Sequence, residues 1–323
     1  RAGDMRLQPS KIIPFDLGTK KLIWNDYVVL YRTNAQSRVL EEAMLRYGVP
    51  YRLVGGIRFY DRKEVKDTIA YLKFLLNPND VLALERIINE PSRGIGDKTL
   101  GLVYQHARAE KKDIMNAVLG SEEIEGLAPN RLELFKAFAD VFSRAQESLP
   151  EMNVSEAIDF LLKRSGYLDS LKALGNDGAD KLENVAELKS VAKKFARMKG
   201  SEAIQAFLED VALVSDQDMF DPESGQAITL MTLHSAKGLE FRNVFMVGLE
   251  EGLLPHANSI MEPSQLEEER RLCYVGITRA QDRLFMLLAR QRTIYGSVSI
   301  TKPSRFIAEL GDEHVVFFED SAG

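Results

Sequence analysis

Residues 27–54 constrain the fold more than any other stretch. Tyr27 to Tyr31 reads YVVLY, an apolar run rich in β-branched and aromatic residues that predicts a short buried strand. A polar segment from Arg32 to Arg38 follows. Val39, Leu40, Ala43, Met44 and Tyr47 then recur at helical spacing until Gly48, with Ser37 expected to cap the helix. Val49 to Val54 reads as the next strand, closed by Gly55-Gly56. Strand, helix and strand in so short a span form a βαβ unit, which implies a parallel sheet.

After Gly56 the periodicity becomes almost wholly helical. Val65, Ile69, Leu72, Leu75 and Leu76 open it, and Leu182, Val185, Leu188, Val191 and Phe195 belong to its last third, which runs to about Ser215. From Ala227 strand texture returns in Ile228 to Leu233, Val244 to Leu249 and Arg283 to Leu288, with a helix expected over Ser264 to Arg279. The expected architecture is α/β: a parallel sheet domain in two parts, 1–54 and 225–323, split by a mostly α-helical insertion domain, 55–224. Gly55-Gly56 and Asp221 to Gly225 are natural hinges between them.

Composition excludes some classes. No apolar run approaches the ~18 residues of a membrane span, so no membrane partner is expected. The single Cys273 cannot form an internal disulfide, which suits a reducing cytoplasm. The net charge of −6 argues against a polyanionic partner until it is divided along the chain. Residues 1–54 carry +4, residues 55–112 +3, residues 113–224 −10 and residues 225–323 −3. The acid sits in one block, and the basic first third is free to face phosphate.

Two constellations could carry chemistry. The first, ITLMTLHSAKGLEF over Ile228 to Phe241, is a strand that ends in His234, Ser235, Ala236, Lys237, Gly238, Leu239 and Glu240, a polar loop expected at the carboxyl edge of the sheet. Its plain alternative is a strand-to-helix connection capped by Ser235. The second is EEERRLCYVGITRA, Glu267 to Ala280. A salt-bridged surface helix accounts for its Glu and Arg pairs but not for Arg279, which precedes another strand and should emerge near Glu240. A fixed guanidinium of that kind is the arginine-finger arrangement for a γ-phosphate.

Taken with LYRTNAQSR and GGIRFYDRKEVKD, these motifs resemble the second half of a UvrD/PcrA/Rep-type superfamily 1 DNA helicase, from about Tyr27 to Leu310. The resemblance implies a RecA-like motor domain with an inserted duplex-binding domain, and movement 3′ to 5′ on single-stranded DNA driven by ATP with Mg2+. It places Arg279 on the γ-phosphate and Glu240 on the ribose side, with Lys237 and Gly238 in the same nucleotide-binding loop. Thr232 and His234 would lie on the single-strand track or couple it to the nucleotide site, and Arg32 and Asn34 would contact single-stranded DNA. Arg93-Gly94-Ile95-Gly96-Asp97-Lys98-Thr99 resembles the family's duplex-binding turn. Its small residues let backbone N–H groups approach phosphate at a helix start. The plain alternative is a helix-entry turn with Thr99 facing solvent.

Departures from the pattern set limits. The sequence contains no GxxxxGK[ST] phosphate loop and no QNYR-type adenine motif, and Phe15 to Trp24 is shorter than expected before the first strand. Val244 to Glu251 imitates an acidic nucleotide strand, but Glu250 and Glu251 are expected to be structural. No metal site is expected. With Arg1 first, the chain is expected to be a carboxyl-terminal half that needs an amino-terminal motor domain and is inactive alone. DNA repair or replication is the expected setting, with repair proteins as candidate partners. The rival is a non-catalytic protein-interaction module on a helicase-derived scaffold, using the acidic block to bind basic partners.

Overall fold

The computed structural model describes residues 23–217, 226–294, 297–311 and 316. Strand β1 (Tyr27–Tyr31) leads through helix α1 (Ser37–Arg46) into β2 (Tyr51–Val54), as the βαβ pattern requires. The chain then runs through helices α2 (Lys63–Leu76), α3 (Val81–Ile87), α4 (Asp97–Glu110), α5 (Ile114–Leu119) and α6 (Pro129–Ser148). Helices α7 (Val154–Arg164), α8 (Tyr167–Lys172), α9 (Asn176–Ala192) and α10 (Gly200–Gln217) complete the helical region. Strands β3 (Ile228–Thr232) and β4 (Phe241–Val247), helix α11 (Pro263–Ile277) and strand β5 (Ala280–Leu287) finish the sheet. A hairpin of β6 (Gln291–Ile294) and β7 (Ser297–Ile300) and the short α12 (Arg305–Ala308) follow.

The five-stranded sheet is parallel throughout, in the order β2-β3-β1-β4-β5. Central β1 pairs with two strands that lie some 200 residues later, Val28 opposite both Thr229 and Val244. The helical region is therefore an insertion between the neighbouring strands β2 and β3. This is the α/β fold of a RecA-like sheet domain split by a helical insertion.

Period-two alternation divides the sheet residues between its faces. Val28, Leu30, Met231, Val244 and Met246 pack with Leu272 and Cys273 of α11, while Val29, Tyr31 and Leu230 pack with Leu40 and Met44 of α1. The helical insertion has a separate core in which Tyr71, Phe74, Phe138 and Phe142 form a ring cluster, with centroids 4.9 Å apart for Phe74 and Phe142. The junction between the two is polar. Arg62 donates to Asn184 of α9 at 2.7 Å and to Ser37 at 2.6 Å, and Arg38 joins Glu42 and Glu187.

Two expectations are corrected. Ser37 does not cap α1: it is the first residue of that helix, and its hydroxyl donates to Glu41 and accepts from Arg62. Strand β5 begins at Ala280, earlier than the apolar pattern suggested, because polar Gln281 and Asp282 extend the edge strand. Glu250 and Glu251 are structural, as expected: buried Glu250 pairs with Arg292 and Glu251 with Arg305. The hinge Asp221 to Gly225 and the stretch from Phe15 to Leu22 lie outside the described residues.

Candidate nucleotide and DNA interface

The loop between β3 and β4 does not stay at the carboxyl edge of the sheet. Thr232 pairs with Tyr31 at that edge, whereas Phe241 starts β4 at the opposite edge, paired with Ala280 and two residues before Asn243, the partner of Tyr27. Parallel strands on either side of β1 require this, since residues 233–240 must climb the full height of the sheet, about 17 Å for a five-residue strand. His234 and Glu240 consequently serve opposite edges. The expected placement of the whole polar loop on one edge is overturned.

At the amino edge Glu240 and Arg279 meet. The N–H of Phe241 donates to the carbonyl of Arg279 at 2.9 Å, and the Arg279 Nη1 donates to the carbonyl of Leu239 at 2.9 Å. Arg279 also donates through Nε to Val275 at 2.9 Å and through Nη2 to the Thr278 hydroxyl at 3.0 Å. Gln281 holds the Glu240 carboxylate at 3.1 Å. Glu240, Lys237 and Gly238 are exposed, and Gly238 takes a φ of +84° that favours glycine. Helix α11 delivers Arg279 by close packing at Gly276, where an added Cβ would lie 2.5 Å from Leu233 Cδ2 and 2.8 Å from Met246 Cε.

At the carboxyl edge lie Arg32, Asn34, Thr232 and His234. Thr232 and Ser235 share a hydroxyl contact of 3.0 Å, which closes the first turn of the loop. Asn34 stands on a 3-10 turn after β1, beside Gly56. The imidazole of His234 has its pKa lowered, first by burial and then by the charge of Arg32. Arg32 itself is engaged. It grips both carboxylate oxygens of Glu269 on α11 at 3.1, 3.0 and 2.7 Å. Glu269 also accepts from the His256 backbone at 3.0 Å, and the His256 ring reaches Glu183 on α9 at 3.0 Å. Burial alone would raise the carboxyl pKa of Glu269, but these hydrogen bonds outweigh it and hold the group below its ordinary value.

The turn before α4 brings Gly94, Gly96, Lys98 and Thr99 together at a helix start, with Gly96 as the N-cap. Arg93 points inward instead. Its guanidinium stacks over Phe138 at 5.0 Å and donates to the carbonyls of Ile88 at 2.8 Å, Pro91 at 3.1 Å and Ser165 at 2.9 Å. Those carbonyls follow helix ends, where backbone acceptors lack intrahelical partners. The turn is held by Asn89, whose amide oxygen accepts the Ile95 N–H at 3.0 Å, and by Arg131, whose Nη1 donates to the Gly94 carbonyl at 2.6 Å. The sequence pattern points to none of Glu269, Gln281, Asn89 and Arg131. Glu269 stood within a recognised motif, but its partner is 237 residues away and no local spacing reveals it.

The profile of the UvrD-like helicase C-terminal domain family matches residues 10–291. The chain belongs to that family. This UvrD-like C-terminal domain is 43% identical over 304 residues to the ATP-dependent DNA helicase PcrA of Bacillus subtilis, covering 92% of this chain and 40% of that protein. It is 42% identical over 294 residues to DNA helicase II of Escherichia coli, covering 89% of this chain and 40% of that one. The chain thus spans about 40% of the length of the curated relatives it matches. The guanidinium of Arg279 and the carboxylate of Glu240 lie on the same edge of the sheet. Among the described residues no group of His, Cys, Asp or Glu side chains is arranged to hold a metal ion, and no helix is long and apolar enough to cross a membrane.

Proposed function

We propose that this chain is the second motor domain, with its insertion, of an ATP-dependent DNA helicase that moves 3′ to 5′ along single-stranded DNA in repair or replication in the cytoplasm. Residues 1–54 and 225–323 form the motor domain and residues 55–224 the duplex-binding insertion. The observation that carries the reading is the adjacency of Glu240 and Arg279 on one exposed edge, fixed by the backbone bond between Phe241 and Arg279. In this arrangement Arg279 stabilises charge developing on the γ-phosphate, and Glu240, held by Gln281, orients the ribose, with Lys237 and Gly238 shaping that end of the loop. ATP with Mg2+ supplies the phosphoryl chemistry, and a partner amino-terminal motor domain supplies the phosphate loop. Thr232, His234, Asn34 and Arg32 face the single strand from the opposite edge. The loop over residues 233–240 joins the two ligands because it spans the sheet.

Alone, the chain is expected to turn over no ATP. Joined to an amino-terminal half that carries a phosphate loop, it should show DNA-stimulated ATPase, and Arg279→Ala should reduce that by roughly 10³- to 10⁵-fold, the range for a lost arginine finger. Near-normal turnover of Arg279→Ala in a steady-state phosphate-release assay would remove Arg279 from this role.

A further inference from the structure

Helix α11 ends in a hydrogen-bonded cluster around Arg279 in which every bond has a fixed direction. The Thr278 hydroxyl sends its one proton into the helix end, shared between the carbonyls of Tyr274 and Val275 at 3.0 Å each. Both carbonyls belong to the last turn of α11, where backbone oxygens have acceptor capacity to spare. With its proton committed, the hydroxyl can only accept from Arg279, and it does so from Nη2 at 3.0 Å. Nε donates to the Val275 carbonyl and Nη1 to the Leu239 carbonyl, both at 2.9 Å.

A guanidinium carries five N–H donors in one rigid plane. Three of those of Arg279 are taken, and among the described residues nothing accepts from the other two, one on each terminal nitrogen. Such a pair is what an arginine offers in a bidentate contact with phosphate. The bonds to Val275 and Leu239 define a line about which the planar group could still rock. The third bond fixes the plane, and Thr278 is the one side chain among the three acceptors.

We infer that Thr278 is a positioning residue for Arg279: its hydroxyl fixes the guanidinium plane so that the two remaining N–H groups are aimed at γ-phosphate oxygens, and it touches no nucleotide atom itself. This rests on the arginine-finger reading of Arg279. Donors held ready for charge that develops only in the transition state lower the barrier without tightening substrate binding. The loss of Thr278 should therefore appear in kcat and not in KM.

The test is steady-state ATPase, at saturating single-stranded DNA, of the chain joined to an amino-terminal half that carries a phosphate loop. Thr278→Val keeps the β-branch and removes the hydroxyl. It should lower kcat about 10- to 100-fold, the upper figure matching an ~1 Å misplacement of a catalytic group. KM for ATP should stay within about twofold of the parent. Thr278→Ser retains Oγ and should restore kcat to within about threefold of the parent. The deciding comparison is Thr278→Val/Arg279→Ala, which should be no slower than Arg279→Ala, because the hydroxyl acts only through the guanidinium. Should Thr278→Val fail to fold by circular dichroism, Thr278→Ala takes its place in each comparison. A kcat within about twofold of the parent, a loss confined to KM, or losses that add in the double variant would overturn the inference while leaving Arg279 as the finger. Near-normal turnover of Arg279→Ala would remove the finger reading and the inference together.

Discussion

Glu269→Gln is the most informative single substitution in the motor domain. The Glu269 side chain is 5% exposed and its partner Arg32 20% exposed. Five contacts converge on the Glu269 carboxylate: three from Arg32, one from the His256 backbone and one from the Ser259 hydroxyl. Glutamine keeps the shape but turns one acceptor into a donor that faces the guanidinium. Removing one partner of a buried pair costs about 3–5 kcal/mol. Since water reaches a fifth of Arg32, the lower end applies, about 3 kcal/mol. Urea unfolding of the parent, both single variants and Glu269→Gln/Arg32→Ala gives the coupling directly. The pH dependence follows in sign. Glu269 titrates below its ordinary value of 4.5 in the fold. Its contribution is therefore complete above that value and lost as pH falls through the lower folded pKa. The variant should lack this acid-sensitive component. Arg32 freed from Glu269 should also tighten single-strand binding, because a guanidinium near the track is no longer neutralised. A loss below about 1 kcal/mol, the usual value of an exposed pair, together with additive energies in the cycle, would refute the argument.

Two further perturbations probe the rest of the fold. Gly276→Ala places a Cβ 2.5 Å from Leu233 Cδ2 and 2.8 Å from Met246 Cε, two side chains only 1% exposed that must repack within the core to make way. Overpacking should cost about 1–3 kcal/mol in thermal unfolding. A shift of α11 by about 1 Å should lower the ATPase of the joined chain by about 10²-fold through Arg279. Unchanged turnover would show that α11 does not set the position of Arg279. Phe142→Ala removes a fully buried ring that packs against Tyr71, Phe74 and Phe138, a loss of about 3–5 kcal/mol. Circular dichroism, dominated by the helical insertion, should then show an earlier transition. Fluorescence of Trp24, the single tryptophan, reports on the sheet domain and should keep its midpoint. Joint movement of both signals would mean one cooperative unit rather than two.

What the sequence made legible was whatever local periodicity encodes. YVVLY and ITLMT alternate or run apolar, and both are strands of the expected length, because burial on both faces of a parallel sheet demands apolar runs. The insertion was legible because a 3.6-residue period is distinct from a period of two. The path of the chain between elements was not. Nothing in HSAKGLE says that it climbs the sheet; that follows only from β1 lying between β3 and β4, a fact of strand order that no local pattern records. Side-chain direction was equally hidden. Arg32, Arg93 and Arg131 are all basic residues near proposed DNA contacts, yet Arg32 is bound to a carboxylate from another part of the chain, and the other two are turned toward backbone carbonyls. Charge counting treats the three alike. Their partners separate them, and this has a consequence for reading basic patches in general: a guanidinium already holding several acceptors is less available to a phosphate than an exposed ammonium such as that of Lys98.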